Sequence, residues 1–286
     1  LYSARVIYYN GDYMVLLIID DISEREKQKK MLQEKNEELF SSIRYAEHIQ
    51  KALLPDTSEL AGYFKDFFLF YKPKEIIGGD FYWGASVDDK SVAVVADCTG
   101  HGIPGALITM LGISGLNDIV RTQKETRPDV ILDRLRNQIV NQLSNSFSSD
   151  SIEGMEISIC TINHESEEVW FAGANHKIIH ASDGEINEIK GDTIPIGSFN
   201  KEYKYTLKKF TYIKNDMVYL YSDGYKDQFG EAVDKKFGKR RFYQLINNIN
   251  NSDLRYQKKI LINTFQEWKG NVEQVDDVTF LGILLN

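Results

Sequence analysis

The sequence predicts an α+β fold in which antiparallel sheets are covered by pairs of helices, preceded by one long helix. From about residue 66 onward, strand-like runs follow one another across hairpin-length connections, and helical runs come in pairs rather than between single strands. Before them, residues 22–55 read as one helical stretch with apolar residues at heptad spacing. The chain has 286 residues, 42% hydrophobic and 27% charged, enough for one large domain with an appendage.

Arg5 to Tyr9 and Tyr13 to Ile19 are β-rich and flank Asn10-Gly11-Asp12, a strong hairpin signal. Asp20-Asp21-Ile22-Ser23-Glu24-Arg25 then opens the helix. The hairpin and this exit run resemble the end of a PAS sensor domain, which gives residues 1–21 that expected assignment; the alternative is an independent two-stranded flap. With Ile22 at position a, the a positions are Ile22, Lys29, Asn36, Ile43 and Gln50, and the d positions Arg25, Leu32, Leu39, Ala46 and Leu53. The outer face is nearly all charged or amide side chains. A parallel coiled-coil dimer through residues 22–55 is expected, with Asn36 and Gln50 as polar register positions; the alternative is an amphipathic helix packed on its own domain. Pro55 stops the helix.

Residues 56–286 read as one α/β domain. Expected strands are Asp66 to Tyr71, Phe81 to Val87, Ser91 to Ala96, Met155 to Ile162, Glu168 to Ala174, Ile178 to His180, Ile186 to Ile189, Tyr203 to Phe210, Met217 to Tyr221 and Val278 to Leu285. Expected helices are Ala106 to Val120, Pro128 to Asn145, Lys239 to Asn247 and Ser252 to Lys269. Asn145 to Ser151 is a polar, serine-rich loop.

Composition narrows the chemistry. A net charge of −8 argues against general nucleic-acid binding and would repel a phosphate-bearing substrate unless metal ions intervened. Two cysteines, Cys98 and Cys160, fit a reducing compartment rather than a disulfide framework. The early apolar run Val15 to Ile19 is too short to span a bilayer, and no signal peptide is visible. The first residue is Leu, so a piece of a longer protein is expected, cytoplasmic or the cytoplasmic part of a membrane-attached sensor.

Four acidic motifs stand at strand edges. Gly78-Gly79 precede Asp80, where a strand begins. Asp97 ends the buried run Val92 to Ala96 and leads into Cys98-Thr99-Gly100-His101-Gly102. Asp223 follows Tyr221-Ser222 and precedes Gly224. Asp276-Asp277 open the last strand. Singly, each has a plain reading: Asp97 as a helix cap, Gly78-Gly79-Asp80 and Asp223-Gly224 as turns, Asp276 and Asp277 as strand-opening polar residues. Together, clustered carboxylates without His or Cys partners favour a hard cation, Mg2+ or Mn2+ rather than zinc. Cys98 would offer its carbonyl, not its thiolate. The Gly-Gly-Asp-Phe run also resembles the signature of diguanylate cyclases, but Tyr82-Trp83 do not continue it. The glycine loop at Gly100 lacks the Lys-Ser/Thr of a P-loop.

In order, GGDFYW, ADCTGHGIPGA, AGANH, PIG, YSDGYKDQFG, KKFG and DDVTFLGI resemble the SpoIIE/RsbU-like branch of the bacterial PPM serine/threonine protein phosphatases, over about residues 44–286. The resemblance implies an α-β-β-α sandwich, two antiparallel sheets flanked by helix pairs, with two Mn2+ or Mg2+ ions at one end. It implies Asp80, Asp97, Asp223 and Asp276 as catalytic metal ligands, with Asp97 bridging and the Cys98 carbonyl completing one site; of the Asp276-Asp277 pair, the first acid matches the family's ligand position. It implies a metal-activated water attacking phosphoserine or phosphothreonine on an anti-anti-sigma-type partner, under control of the upstream sensor. Trp83 stands where many relatives carry another acid. His101 is read as structural rather than as a general acid, and His176 as a loop or strand residue. Lys72 and Lys74 are the nearby cations for a phosphate. The alternative is a catalytically silent pseudophosphatase serving as a dimeric relay.

Overall fold

The computed structural model describes residues 2–19, 21–100, 102–144, 154–197 and 203–286. The chain divides into two compact units, Leu1–Ala46 and Glu47–Asn286.

The first unit holds a hairpin of β1 (Tyr2–Tyr9) and β2 (Asp12–Ile19), with Tyr9 paired to Asp12. Asn10 and Gly11 both take positive φ, 51° and 95°, as a two-residue turn matched to strand twist requires. After it comes the start of α1 (Ser23–Leu53), on which Leu32 and Leu39 are 63% and 54% exposed.

The second unit contains the last turns of α1 and an α-β-β-α sandwich. Its strands are β3 (Phe67–Lys72), β4 (Phe81–Val87), β5 (Lys90–Cys98), β6 (Met155–Asn163), β7 (Glu168–Ala174), β8 (Lys177–Ser182), β9 (Glu185–Lys190), β10 (Lys208–Thr211), β11 (Met217–Tyr221) and β12 (Val278–Leu284). Its remaining helices are α2 (Thr57–Ala61), α3 (Ile103–Leu116), α4 (Pro128–Ser144), α5 (Gly224–Asp227), α6 (Gly238–Ile249) and α7 (Leu254–Lys269). One sheet runs β10-β7-β6-β5-β4 and the other β3-β12-β11-β8-β9, with every ladder antiparallel.

Period-two alternation builds three apolar layers. Along β5, Val92, Val94 and Ala96 pack toward α3 and α4, against Ile113, Leu116 and Leu135. Ala93 and Val95 face the other way and meet Val218, Leu220 and Leu281 of the second sheet. Beyond that sheet, Tyr219, Tyr221 and Phe280 pack on Phe242 and Leu261 of α6 and α7. Ile103–Thr122 is apolar and long enough to cross a bilayer, yet about half of it is buried inside this sandwich.

Several expected boundaries shift. Strand β5 runs on through Asp97 and Cys98. The helix after it starts at Ile103 and finishes in a π-helical turn, Asn117–Thr122. The strand expected from Tyr203 to Phe210 is laddered only over Lys208–Thr211; upstream, the Tyr205 N–H donates to the Asp133 carboxylate at 3.0 Å, so that backbone is satisfied by a side chain. The two short helices α2 and α5 were not expected. The serine-rich stretch 145–151 and His101 lie outside the described residues.

Candidate metal centre

The candidate site lies where strands of both sheets end together. Asp97 is the penultimate residue of β5, and alternation puts it on the Ala93–Val95 face, toward the other sheet. Glu156 of β6 stands opposite it in the ladder. Asp80 immediately precedes β4, whose Phe81 pairs with Ala96. Asp223 follows β11 and Asp276 precedes β12, and these two strands pair Tyr221 with Phe280. Strand β11 lies against β5, and β12 against both β4 and β5. The four predicted acids are thereby brought to one end of the inter-sheet layer. Asp80 is buried, at 2% exposure, while Asp97, Asp223 and Asp276 are half-buried above it.

Charge reports the convergence. The Asp97 carboxyl is pushed up to about 10, first by burial and then by Asp80, Asp223, Asp276 and Glu156. Asp80 is also held well above the usual carboxylate range. Burial is the main cause and the Asp277 and Asp276 charges add to it, against hydrogen bonds from Ser222 and Thr279. The Thr279 hydroxyl donates to Asp80 Oδ2 at 2.8 Å. Asp276 is raised by burial and by Asp223 and Asp277. Carboxylates packed this way repel one another unless a cation joins them.

The loop carrying Asp80 has no ladder, and side chains satisfy its backbone. The Asp277 carboxylate accepts the N–H groups of Gly79 at 2.6 Å and Asp80 at 3.2 Å through Oδ2, and that of Lys74 at 2.7 Å through Oδ1. The Thr109 hydroxyl of α3 donates to the Gly79 carbonyl at 2.6 Å. The Gln50 amide of α1 donates to the Gly78 carbonyl at 2.6 Å and accepts the Gly78 N–H at 3.3 Å. A Cβ on Gly79 would stand 2.6 Å from the Gly100 carbonyl oxygen and 3.0 Å from that of Cys98, so only glycine lets the loop lie against those oxygens. Asp277 is therefore an organiser of backbone.

The donors fit an oxygen-loving cation. The Cys98 thiol points into the core and burial pushes it well up, which leaves its carbonyl as the available donor. Among the described residues, no three His, Cys, Asp or Glu side chains lie close enough together to hold a metal ion as they stand. Carboxylates with one backbone carbonyl are the donor chemistry of Mg2+, which keeps several waters and takes few carboxylates, rather than of a zinc cage.

The other candidates separate clearly. Lys74 brings its charge to Asp276, while the carbonyl of Lys72 is bonded to Gln274. Trp83 lies in the core facing α3, its indole donating to Asn117 at 3.2 Å with Arg121 over its ring. His176 is buried and depressed to about 3, by burial and then by Lys226 and Lys177, a cationic setting that disfavours a metal. Sequence reasoning missed three contributors. Glu156 is visible only through strand register. Lys226 sits on the short α5 and feels the charges of both Asp223 and Asp97. Gln50 was assigned to a coiled-coil register position, yet the structure buries its amide against Gly78.

The family model of Stage II sporulation protein E (SpoIIE) matches residues 88–285. The chain belongs to the SpoIIE family. It is thus a member of the PP2C-type serine/threonine phosphatases. The matched span holds Asp97, Asp223 and Asp276, with Asp80 just before it. The SiaA PP2C domain of Pseudomonas aeruginosa is similar at 29% identity and a TM-score of 0.80, covering 88% of this chain and 99% of that one. The RsbU and RsbW domains of Rv1364c from Mycobacterium tuberculosis share the fold at 18% identity and 0.61, covering 77% and 59%. RsbX in complex with magnesium does so at 19% and 0.55, covering 76% and 94%. No curated protein matches the chain.

The raised carboxyls set a pH dependence. Asp97 binds its proton more tightly folded than unfolded, between its ordinary 3.8 and about 10, so its ionisation weakens the metal-free fold as pH rises through that window. In chelator, the melting temperature of the SpoIIE-family unit is expected to fall between about pH 6 and about pH 8.5, and Asp97→Asn to flatten that fall, at about 2–4 °C per kcal/mol recovered. Calorimetric melting of both proteins across that range is the check. Equal slopes would contradict the charge coupling.

Proposed function

We propose that this chain is a divalent-metal-dependent serine/threonine protein phosphatase working on a phosphorylated signalling protein. The observation that carries the reading is the convergence of Asp80, Asp97, Asp223 and Asp276 at one end of a SpoIIE-family sandwich. These four acids and the Cys98 carbonyl would hold two ions, Mn2+ or Mg2+, with Asp97 between them. When bound, the ions supply a water acidic enough to attack phosphorus near neutral pH and offset the repulsion between phosphate and an acidic protein. The chain's own residues do the rest. Asp277 and Thr109 hold the Asp80 loop still, and Thr279 fixes the Asp80 rotamer. Lys226, half-buried beside Asp223 and Asp97, is placed to attract the substrate phosphate. The motif resemblance to the SpoIIE/RsbU-like branch supports a partner of the anti-anti-sigma type.

We also read residues 1–21 as the end of a sensor domain and α1 as a dimeric coiled coil that carries its signal. Exposed Leu32 and Leu39 on α1 support this reading.

Manganese-dependent hydrolysis of para-nitrophenyl phosphate, abolished by chelator, is the expected activity. Asp97→Asn is expected to lower kcat by more than about 100-fold, and Lys226→Ala to raise KM more than it lowers kcat. A fully active Asp97→Asn would overturn the metal reading. Metal-dependent Mn2+ binding with no turnover, on this ester or on a phosphorylated anti-anti-sigma protein, would favour the silent relay. For the coiled coil, sedimentation velocity is expected to show a dimer for the full chain and a monomer for Leu32→Asp/Leu39→Asp. A monomeric parent chain would remove the dimer.

A further inference from the structure

Gln50 lies on the last turns of α1 within the second unit and is 3% exposed, in a helix otherwise rich in exposed charge. Its amide makes a two-point contact with one residue, donating to the Gly78 carbonyl at 2.6 Å and accepting the Gly78 N–H at 3.3 Å. A Cβ on Gly78 would stand 2.9 Å from Asp277 Oδ2, so the residue is wedged between the Gln50 amide and the Asp277 carboxylate. The next two N–H groups, of Gly79 and Asp80, are held by that same carboxylate. Asp80 follows Gly78 by two residues, and its carboxylate is fixed from the other side by Thr279.

We propose that Gln50 is a positioning residue that sets the divalent-cation affinity of the carboxylate centre by fixing the backbone at Gly78, and through it the Asp80 loop. The proposal rests on the metal-dependent reading above. Gln50 touches neither metal nor substrate; it acts through the loop. A glutamine serves here because it alone offers a donor and an acceptor in one plane at this reach. A glutamate would keep the acceptor and lose the donor, and a methionine would keep length and bulk and lose both. Residues that orient metal ligands from behind typically change metal affinity 10–100-fold when altered.

The test uses the full chain, stripped of metal, with Mn2+ alone as the probe in isothermal titration calorimetry, and thermal melting measured in parallel. Gln50→Met is expected to raise the Mn2+ Kd by about 10-fold or more, with Gln50→Glu between it and the parent. In turnover of para-nitrophenyl phosphate, the Mn2+ concentration for half-maximal rate is expected to rise by a similar factor. The ester's KM at saturating Mn2+ should stay unchanged. A Mn2+ Kd within about twofold of the parent in the folded variants, even with a lowered melting temperature, would overturn the proposal, because a merely structural amide would behave that way. Should Gln50→Met not fold, Gln50→Glu decides on the same criterion. A parent chain that binds no Mn2+ would overturn the metal reading and this proposal with it, whereas a parent that binds beside unchanged variants overturns this proposal alone.

Discussion

The Asp277 carboxylate accepts three backbone N–H groups, from Lys74, Gly79 and Asp80, across roughly two hundred residues of chain. Much of the site depends on that one contact. It fastens the start of the last strand to the loop before β4, and so joins the two sheets at the end where the acids gather. The buried loop has no strand partner, and unmade backbone hydrogen bonds there would each cost about 1–3 kcal/mol. Asp277, Thr109, Gln50 and the Tyr71 hydroxyl supply partners instead, from four separate elements. A loop held this way has its backbone satisfied as in a strand but can lie against other backbone, which a site built of carbonyls and carboxylates needs.

The same arrangement concentrates negative charge. Asp80, Asp97 and Asp276 are each raised by burial and by the charges of neighbouring acids, so the metal-free centre is under electrostatic strain. A cation relieves that strain, which couples metal binding to stability and to pH. The half-buried Lys226 adds one positive charge at the rim, and burial lowers its own proton affinity.

The fold was legible because its signals are local. Hairpin turns such as Asn10-Gly11, alternation along β5 and paired amphipathic helices each declare themselves within a few residues. The four acids were legible for a related reason, since a carboxylate at the end of a buried strand has few structural duties. What escaped reading depends on contacts between distant segments. That Asp277 gathers backbone N–H groups from a loop distant in sequence is visible only in the folded chain. Glu156 becomes a neighbour of Asp97 only through the β5–β6 register. Gln50 fits a heptad as well as it fits Gly78, and the aromatic run at Tyr203 and Tyr205 looks like strand although its backbone bonds to Asp133.

The central claim is that these acids form one divalent-metal centre. Anomalous diffraction from crystals of the full chain soaked in Mn2+ tests it most directly. The account predicts two peaks about 3.5–4 Å apart, with Asp97 between them, one beside Asp80 and the Cys98 carbonyl and the other beside Asp223 and Asp276. Manganese peaks elsewhere, or none within reach of Asp97, would contradict it.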